Sequence, residues 1–190
     1  MNLLLLGPQG AGKGTQSSRI SAEYGIPHIA TGDMFRALDT STELGRKVKA
    51  IMDEGTLVPD EITVAMIRER LAQPDADAGF ALDGFPRNLA QAEALDEMLS
   101  GIGRSLDAIL FFDVPDSVGM ERALKRAKLE SRSDDTPEAI ATRLAVYHEQ
   151  TEPIVEHYRA TGKLVPLHAE RSIDEVWDEI EGALQTVVPA

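Results

Sequence analysis

Residues 2–15, NLLLLGPQGAGKGT, decide the fold of this chain of 190 residues. Four consecutive leucines predict a short strand that is buried on both faces, and the glycine-rich turn after them leads into a helical pattern. Gly7, Gly12 and Lys13 within the turn have the spacing G-x-x-x-x-G-K. Between a strand and a helix, this spacing is typical of a loop whose backbone amides surround phosphate oxygens. The stretch therefore predicts a phosphate-binding loop in which Lys13 reaches the outer phosphates.

The rest of the chain alternates short apolar runs with longer segments of helical periodicity. That order predicts an α/β fold with a five-stranded parallel sheet and helices on both faces. The predicted strands are residues 2–6, 27–29, 80–82, 108–114 and 164–167, and the predicted helices are residues 15–24, 44–53, 60–72, 89–99 and 117–126. We expect Gly25, Gly55 and Gly101 to close three of these helices in the left-handed conformation.

Further helices are predicted near the C-terminus. Apolar residues recur every three or four positions from Leu144 to Tyr158, but Pro153 lacks an amide donor and should bend or divide that segment. The last helix should begin at Ser172, because Glu175 three residues later completes a capping box. Since no internal repeat or long linker occurs, we expect one domain.

Composition argues against several classes of function. The chain has no cysteine, which excludes disulfides and cysteine-ligated metals, and its four histidines lack a metal-binding spacing. A formal net charge of -13 argues against broad contact with nucleic acid. No apolar run approaches the roughly 20 residues of a membrane span, and the apolar N-terminus lacks a basic leader. We expect a soluble, cytoplasmic protein with no nucleic-acid or membrane partner.

More motifs follow the loop. They are ATGDMFR at residues 30–36, GTLVP at 55–59, LDGFPR at 82–87 with Gln91, ERALKR at 121–126, SRSDD at 131–135 and ATRLAVYH at 141–148. Together with GKGT at residues 12–15, they resemble the motifs of adenylate kinases, of the nucleoside monophosphate kinase family, over nearly the whole chain. The short interval between Arg126 and Arg143 resembles the short-lid relatives, which implies that no zinc is bound. The resemblance implies a P-loop kinase fold with a helical nucleoside monophosphate-binding segment, residues 30–59, and a short lid, residues 126–136.

The resemblance also implies roles for individual residues. Residues expected to bind ATP are Gly10, Ala11, Gly12, Lys13, Gly14, Thr15, Arg122, Arg126 and Arg171, with Arg122 along the adenine. Residues expected to bind AMP are Thr31, Arg36, Leu57, Val58, Pro59, Gly84, Phe85, Pro86, Arg87, Gln91, Arg132 and Arg143. The expected catalytic residues are Lys13, Arg87, Arg126, Arg132 and Arg143. Among these, Arg36 and Arg87 are expected to hold the acceptor phosphate, and the arginines of the lid to close on the transferring group. Asp134 and Asp135 are expected to tie the closed lid to other residues.

Magnesium is the expected cofactor, bound together with ATP. Gly14 separates Lys13 from Thr15, whereas the general motif places Ser or Thr directly after the lysine, so direct ligation by Thr15 is not expected. Asp83 follows a predicted strand and should emerge at the carboxyl edge of the sheet, where ligands of open parallel sheets bind. We predict that Asp83 anchors the metal through water. The alternative role for Asp83 is to cap the turn at its Asp-Gly pair.

The predicted basic residues suit phosphoryl transfer between two nucleotides. Bringing ATP against a second phosphate crowds negative charges, and each unit pair costs about 1 kcal/mol even in water. Arginine offsets this cost well, because its planar fork grips two phosphate oxygens and stays protonated. The acceptor phosphate is already ionised, so no general base is assigned. The expected activity converts Mg-ATP and AMP reversibly into two ADP, maintaining adenine nucleotide balance, in a protein that the resemblance implies is a monomer.

Two other functions stay open. A UMP/CMP kinase of the same family would share the loop and the arginines, and Asn88 matches its FPRN sequence. However, Thr31 and Gln91 stand where those relatives usually have Ala and Asn, which favours AMP. A nucleotide-binding switch without turnover is the second alternative, although the N-K-x-D motif of guanine switches is absent from the sequence. The nucleotide that donates the phosphoryl group is less well specified, because Arg171 stands where relatives commonly have a glycine beside the adenine. The sequence therefore leaves open whether the donor is ATP or GTP.

Overall fold

The computed structural model of this chain describes residues 1–130 and 134–187. Five strands in these residues form one parallel sheet: β1 (Asn2–Leu6), β2 (His28–Ala30), β3 (Phe80–Asp83), β4 (Ala108–Asp113) and β5 (Leu164–His168). Their order across the sheet is β2-β3-β1-β4-β5, so the loop after the first strand lies at the centre of the sheet. The predicted α/β fold with a five-stranded parallel sheet is confirmed.

Nine α-helices in the described residues connect and surround the strands. They are α1 (Lys13–Tyr24), α2 (Thr31–Arg36), α3 (Glu43–Glu54), α4 (Asp60–Leu71), α5 (Leu89–Gly101), α6 (Asp116–Glu130), α7 (Pro137–Val146), α8 (Glu152–Arg159) and α9 (Ile173–Val187). None of these helices combines the length and the apolar character that crossing a bilayer would require.

The leucines of β1 alternate between two apolar cores, one on each face of the sheet. Leu3 and Leu5 pack on the face covered by α1 and α9. Leu4 and Leu6 pack on the other face, with residues of α4, α5 and α8. All four side chains are at most 3% exposed. Burial on both faces explains why this strand is a continuous apolar run instead of an alternating one.

Side-chain caps define several helix starts. Thr42, Asn88 and Thr136 each accept a hydrogen bond from the backbone amide three residues later, which satisfies one of the free donors of α3, α5 and α7. The capping box predicted before the last helix is confirmed, because Ser172 N donates to Glu175 Oε2 at 3.0 Å and Glu175 N donates to Ser172 Oγ at 3.3 Å.

Two of the three predicted glycine closures are confirmed, and one is wrong. Gly25 and Gly55 close α1 and α3 with φ of 65° and 77°. Gly101 is instead the last residue of α5, and the left-handed residue is Gly103, with φ of 68°. The reason is that the amide of Arg104, just beyond Gly103, donates to the carbonyl of Leu99 at 2.8 Å, so the chain reverses two residues later than expected.

The helical segment that Pro153 was expected to divide is divided. After α7, Tyr147–Thr151 forms a turn of π-helix, and α8 then begins at Glu152 with Pro153 in its first turn, where a missing amide donor costs little. This wider turn brings the hydroxyl of Thr151 to the backbone carbonyl of Arg87, to which it donates at 2.8 Å. A π-helical turn therefore supports the backbone of a predicted catalytic residue.

Candidate active site

A cavity of about 980 Å³ opens at the carboxyl ends of β1 and β3. Its walls come from residues 5–16, from α2, from residues 55–58, from α6 and from the loop after β5. The position is the one where ligands of open parallel sheets bind. Its volume lies at the upper end of the range of about 300–1,000 Å³ that small-molecule sites occupy.

Most of the predicted nucleotide-binding residues line this one cavity. All nine residues predicted to bind ATP do so, as does Asp83. The predicted AMP-binding residues that line the cavity are Arg36, Leu57, Val58, Gly84, Pro86, Arg87, Gln91 and Arg143. Thr31, Pro59 and Phe85 are not among its lining residues, and Arg132 lies outside the residues that the structure describes.

Two of the exceptions have structural reasons. The side chain of Phe85 is 1% exposed and packs in the apolar core with Leu4 and Leu6, so only its backbone is left for a ligand. The side chain of Thr31 is 2% exposed, and its hydroxyl donates to the carbonyl of Gly84 at 2.8 Å. Thr31 therefore supports the turn that presents Arg87.

The loop after β1 leaves the first backbone amides of α1 without a side-chain cap. Lys13 folds back across the loop, and its Nζ donates to the carbonyls of Gly7 at 2.8 Å and Pro8 at 2.9 Å. Gly12 is the N-cap of α1 with φ of 89° and offers no side-chain cap. The exposed amides of the first turn and the positive end of the helix dipole are therefore available to an anion.

Gly10 in this loop lies against the backbone of α6. A Cβ at Gly10 would come 2.0 Å from the carbonyl oxygen of Gly119, and φ is +79°. Gly12 has a similar φ of +89°, but a Cβ there would meet nothing within 4 Å. We expect Gly10→Ala to lower the free energy of unfolding by about 2 kcal/mol more than Gly12→Ala does, because only the first adds steric overlap to backbone strain. Denaturant unfolding without nucleotide measures the difference, and equal losses would contradict this contact.

Asp83 places an ionised carboxylate beside the phosphate loop. Burial by itself raises the pKa of Asp83, but the charge of Lys13, with smaller effects of His28 and Arg87, outweighs it and holds the pKa below its ordinary value. An ionised oxygen donor suits Mg²⁺, which keeps several waters and takes one or two carboxylates. Among the described residues, no backbone amide donates to the carboxylate of Asp83, which gives no support to the alternative capping role. The described residues contain no group of three or more His, Cys, Asp or Glu that could hold a metal ion.

Three of the predicted arginines converge on two buried carboxylates, Asp134 and Asp135, which precede α7. Arg126 contacts Asp135 at 2.7 Å, and Arg143 contacts Asp135 at 2.5 Å and Asp134 at 2.9 Å. Arg36, from the segment at residues 30–59, reaches Asp134 at 3.4 Å. Burial by itself raises the pKa of Asp135, but its hydrogen bonds and charge interactions with the two arginines outweigh this and lower it. Carboxylates thus engage the donors that phosphate oxygens also use.

Arg87 differs from these arginines because its outer donors are free. Its Nε donates to the carbonyl of Gly84 at 2.8 Å, and its backbone amide donates to Gln91 Oε1 at 2.8 Å. Within the described part of the chain, its two terminal nitrogens make no hydrogen bond, and the residue lines the cavity. The guanidinium group is therefore held at its base, with its fork open to an anion.

Two basic residues meet at the loop after β5. Arg122 donates to the carbonyls of Ala169 at 2.6 Å and Glu170 at 3.0 Å, so α6 is tied to this loop. Arg171 pairs with Glu179 of α9 at 2.8 Å. Both residues line the cavity, and the guanidinium group of each already interacts with protein atoms.

His28 and Gln9 are among the residues that the fold brings to the site and that the sequence analysis missed. His28 was noted only as one of four histidines, but its Nε2 lies 3.8 Å from Asp83 Oδ2, is buried, and has no hydrogen-bond partner among the described residues. Gln9, inside the phosphate loop, accepts a hydrogen bond from Arg143 at 3.2 Å. Only the position of Gln9 within the loop motif could have indicated such a role.

Comparison with known proteins identifies the family of this chain. The adenylate kinase family model matches residues 5–163. An adenylate kinase of Thermobifida fusca (strain YX) is 51% identical over 187 residues, which cover 98% of this chain and 99% of the relative. An adenylate kinase of Stenotrophomonas maltophilia (strain K279a) is 47% identical, with 97% and 100% covered, and one of Archaeoglobus fulgidus is 43% identical, with 98% and 99% covered. These relatives favour the predicted adenylate kinase over the UMP/CMP kinase alternative. The chain belongs to the adenylate kinase family.

Proposed function

We propose that this chain transfers the terminal phosphoryl group of Mg-ATP to AMP and gives two ADP, in both directions, so that it balances the adenine nucleotides. The observation that carries the proposal is the open guanidinium fork of Arg87, which lines the same cavity as the phosphate loop. A second anion-binding group in one cavity with a nucleotide loop suits an enzyme with two phosphorylated substrates. A protein that only binds one nucleotide has no need of it.

In the proposed reaction, an oxygen of the AMP phosphate attacks the terminal phosphorus of ATP. The bond from that phosphorus to the bridging oxygen breaks, and ADP leaves with the bonding electron pair. Since the attacking oxygen is ionised near neutral pH, no base is needed, unlike in kinases that phosphorylate an alcohol. Catalysis therefore rests on alignment and on stabilisation of the transferring group.

Each basic residue has a proposed place in this reaction. Lys13 and the loop amides hold the outer phosphates of ATP, and Arg36 and Arg87 hold the phosphate of AMP. Arg126 and Arg143, together with Arg132, close on the transferring group. The contacts of Arg126 and Arg143 with Asp134 and Asp135 support this role, because carboxylates that already attract these two guanidinium groups keep them ordered until phosphates replace them.

Asp83 is proposed to hold Mg²⁺ through water. When bound with ATP, Mg²⁺ neutralises phosphate charge and orients the outer phosphates. The ionised state of Asp83 and its place beside Lys13 support this assignment. We further propose, from the family alone, that the enzyme acts as a monomer in the cytoplasm.

A competition among acceptors tests the function. With Mg-ATP and an assay coupled to ADP formation, we expect AMP to exceed UMP and CMP by at least about 100-fold in kcat/KM. The control omits the acceptor and measures hydrolysis of ATP alone. A higher kcat/KM for UMP or CMP would support a pyrimidine nucleotide kinase instead, and no turnover with any acceptor would support a nucleotide-binding switch.

A further inference from the structure

Gln91, in the first turn of α5, has its side-chain amide fixed from two sides. Its Nε2 donates to Asp60 Oδ1 at 2.7 Å, and its Oε1 accepts from the backbone amide of Arg87 at 2.8 Å. An ionised carboxylate can only accept a hydrogen bond, and a backbone amide can only donate one. If the amide turned over, Oε1 would face the carboxylate of Asp60, two acceptors together, and Nε2 would face the amide of Arg87, two donors together. The orientation of the Gln91 amide is therefore determined by its neighbours.

Asp60 is itself held in place by the residue that caps α5. Asn88 Nδ2 donates to both carboxylate oxygens of Asp60, at 3.0 and 3.2 Å. Asn88 Oδ1 accepts from the backbone amide of Gln91 at 2.9 Å. Asp60, Asn88 and Gln91 thus form a closed ring of hydrogen bonds between the starts of α4 and α5. The ring also gives Asn88 a structural role, so its presence does not require a pyrimidine acceptor.

The fixed amide keeps hydrogen-bonding capacity for a ligand. A primary amide has two N–H donors and two acceptor lone pairs. Within the described residues, the side chain of Gln91 makes one hydrogen bond through its nitrogen and one through its oxygen. One donor and one acceptor therefore remain, and Gln91 lines the cavity although it is only 2% exposed.

The relative positions of the remaining donor and acceptor of Gln91 decide which purine edge can pair with them. A 6-aminopurine presents an acceptor at N1 and a donor at its amino group, whereas a 6-oxopurine presents a donor at N1 and an acceptor at O6. An amide that could turn over would match either edge, but one that is fixed matches one of them. We infer that Asp60 is a positioning residue that sets the preference for a 6-aminopurine over a 6-oxopurine acceptor by fixing the amide of Gln91. The inference rests on the proposed function, in which Gln91 contacts the acceptor base.

Asp60→Asn tests the inference with AMP and IMP as acceptors. IMP differs from AMP only in this edge, with O6 in place of the amino group and a hydrogen on N1. The asparagine amide has the shape of the carboxylate but can donate as well as accept, so Gln91 can turn over at a lower cost. We expect the ratio of kcat/KM for AMP to that for IMP to fall about tenfold, equivalent to about 1.4 kcal/mol.

Glu61→Gln is the matched control. It removes the same charge from the next position of α4, but Glu61 is exposed and is not among the hydrogen-bond partners of the Gln91 side chain, so the ratio should stay unchanged. If Asp60 only stabilised the start of the helix, Asp60→Asn would lower kcat/KM for AMP and IMP equally. An unchanged AMP-to-IMP ratio in Asp60→Asn would therefore overturn the inference.

Gln91→Met separates this inference from the proposed function. Methionine offers neither donor nor acceptor of comparable strength, so the AMP-to-IMP ratio should fall if Gln91 contacts the base. If the AMP-to-IMP ratio falls in Gln91→Met but not in Asp60→Asn, only the role of Asp60 is overturned. An unchanged ratio in Gln91→Met overturns the contact with the base and the inference together. Should Asp60→Asn not fold, Asn88→Ser keeps a capping oxygen but loses the amide donor to Asp60, and an unchanged ratio there has the same meaning.

Discussion

Lys13→Met is expected to lower kcat about 10³-fold, which corresponds to about 4 kcal/mol of lost transition-state stabilisation. Lys13 crosses the phosphate loop through hydrogen bonds of 2.8 and 2.9 Å to the carbonyls of Gly7 and Pro8. In the proposed function, its ammonium group then meets the outer phosphates of ATP beside the first turn of α1. Methionine has a similar length but no charge, so the loss reports the charge and not the volume of the side chain.

Steady-state kinetics at saturating AMP and ATP measure this effect. Lys128→Met is the matched control, because Lys128 is an exposed residue of α6 that does not line the cavity, and its kcat should match that of the unmodified protein. The melting temperature of Lys13→Met should show that the protein is folded. A kcat within tenfold of the original value in a folded Lys13→Met protein would contradict the proposed role.

The fold was largely predictable because its signals are local. The four leucines of β1 and the glycines around Lys13 specify a buried strand, a turn and a helix within 15 residues. The error at Gly101 shows the limit of such signals. Gly101 and Gly103 stand two positions apart, and the choice between them depends on which later amide reaches the carbonyl of Leu99.

The site was predictable only where a motif names its residues. Lys13 and Arg87 lie in such motifs, and both line the cavity. His28 does not, and it comes near Asp83 only because β2 pairs with β3. In the sequence, Asp60 is an acidic residue at the start of a predicted helix, and a favourable interaction with the helix dipole is enough to explain an acidic residue there. Its hydrogen bond to Gln91 joins positions 31 apart, and no local pattern encodes such a contact.

Arg87→Ala is expected to lower kcat/KM for AMP by about 10³-fold or more. The Nε of Arg87 is anchored on the carbonyl of Gly84, and the Arg87 carbonyl is held by Thr151, so the open fork is presented in a fixed orientation. Alanine removes the fork but keeps the backbone amide that holds Gln91. In the proposed function, the acceptor phosphate then loses a two-point contact, while the phosphate loop is unchanged.

Arg68→Ala is the matched control for this variant. Arg68 is exposed on α4 and does not line the cavity, so kcat/KM for AMP should stay at the original value. This control shows whether the net charge of the protein contributes to the effect. A similar loss in Arg68→Ala would mean that the effect does not come from a contact at the cavity.

The most direct test of a two-nucleotide cavity measures ATP binding and AMP phosphorylation in one preparation of Arg87→Ala. If the phosphate loop holds ATP and Arg87 holds the acceptor, the Kd for ATP should stay within about threefold of its original value, because the two sites are separate. In the same preparation, phosphorylation of AMP should fall by about 10³-fold. Unchanged phosphorylation, or a loss of ATP binding as large as the loss of transfer, would contradict this account.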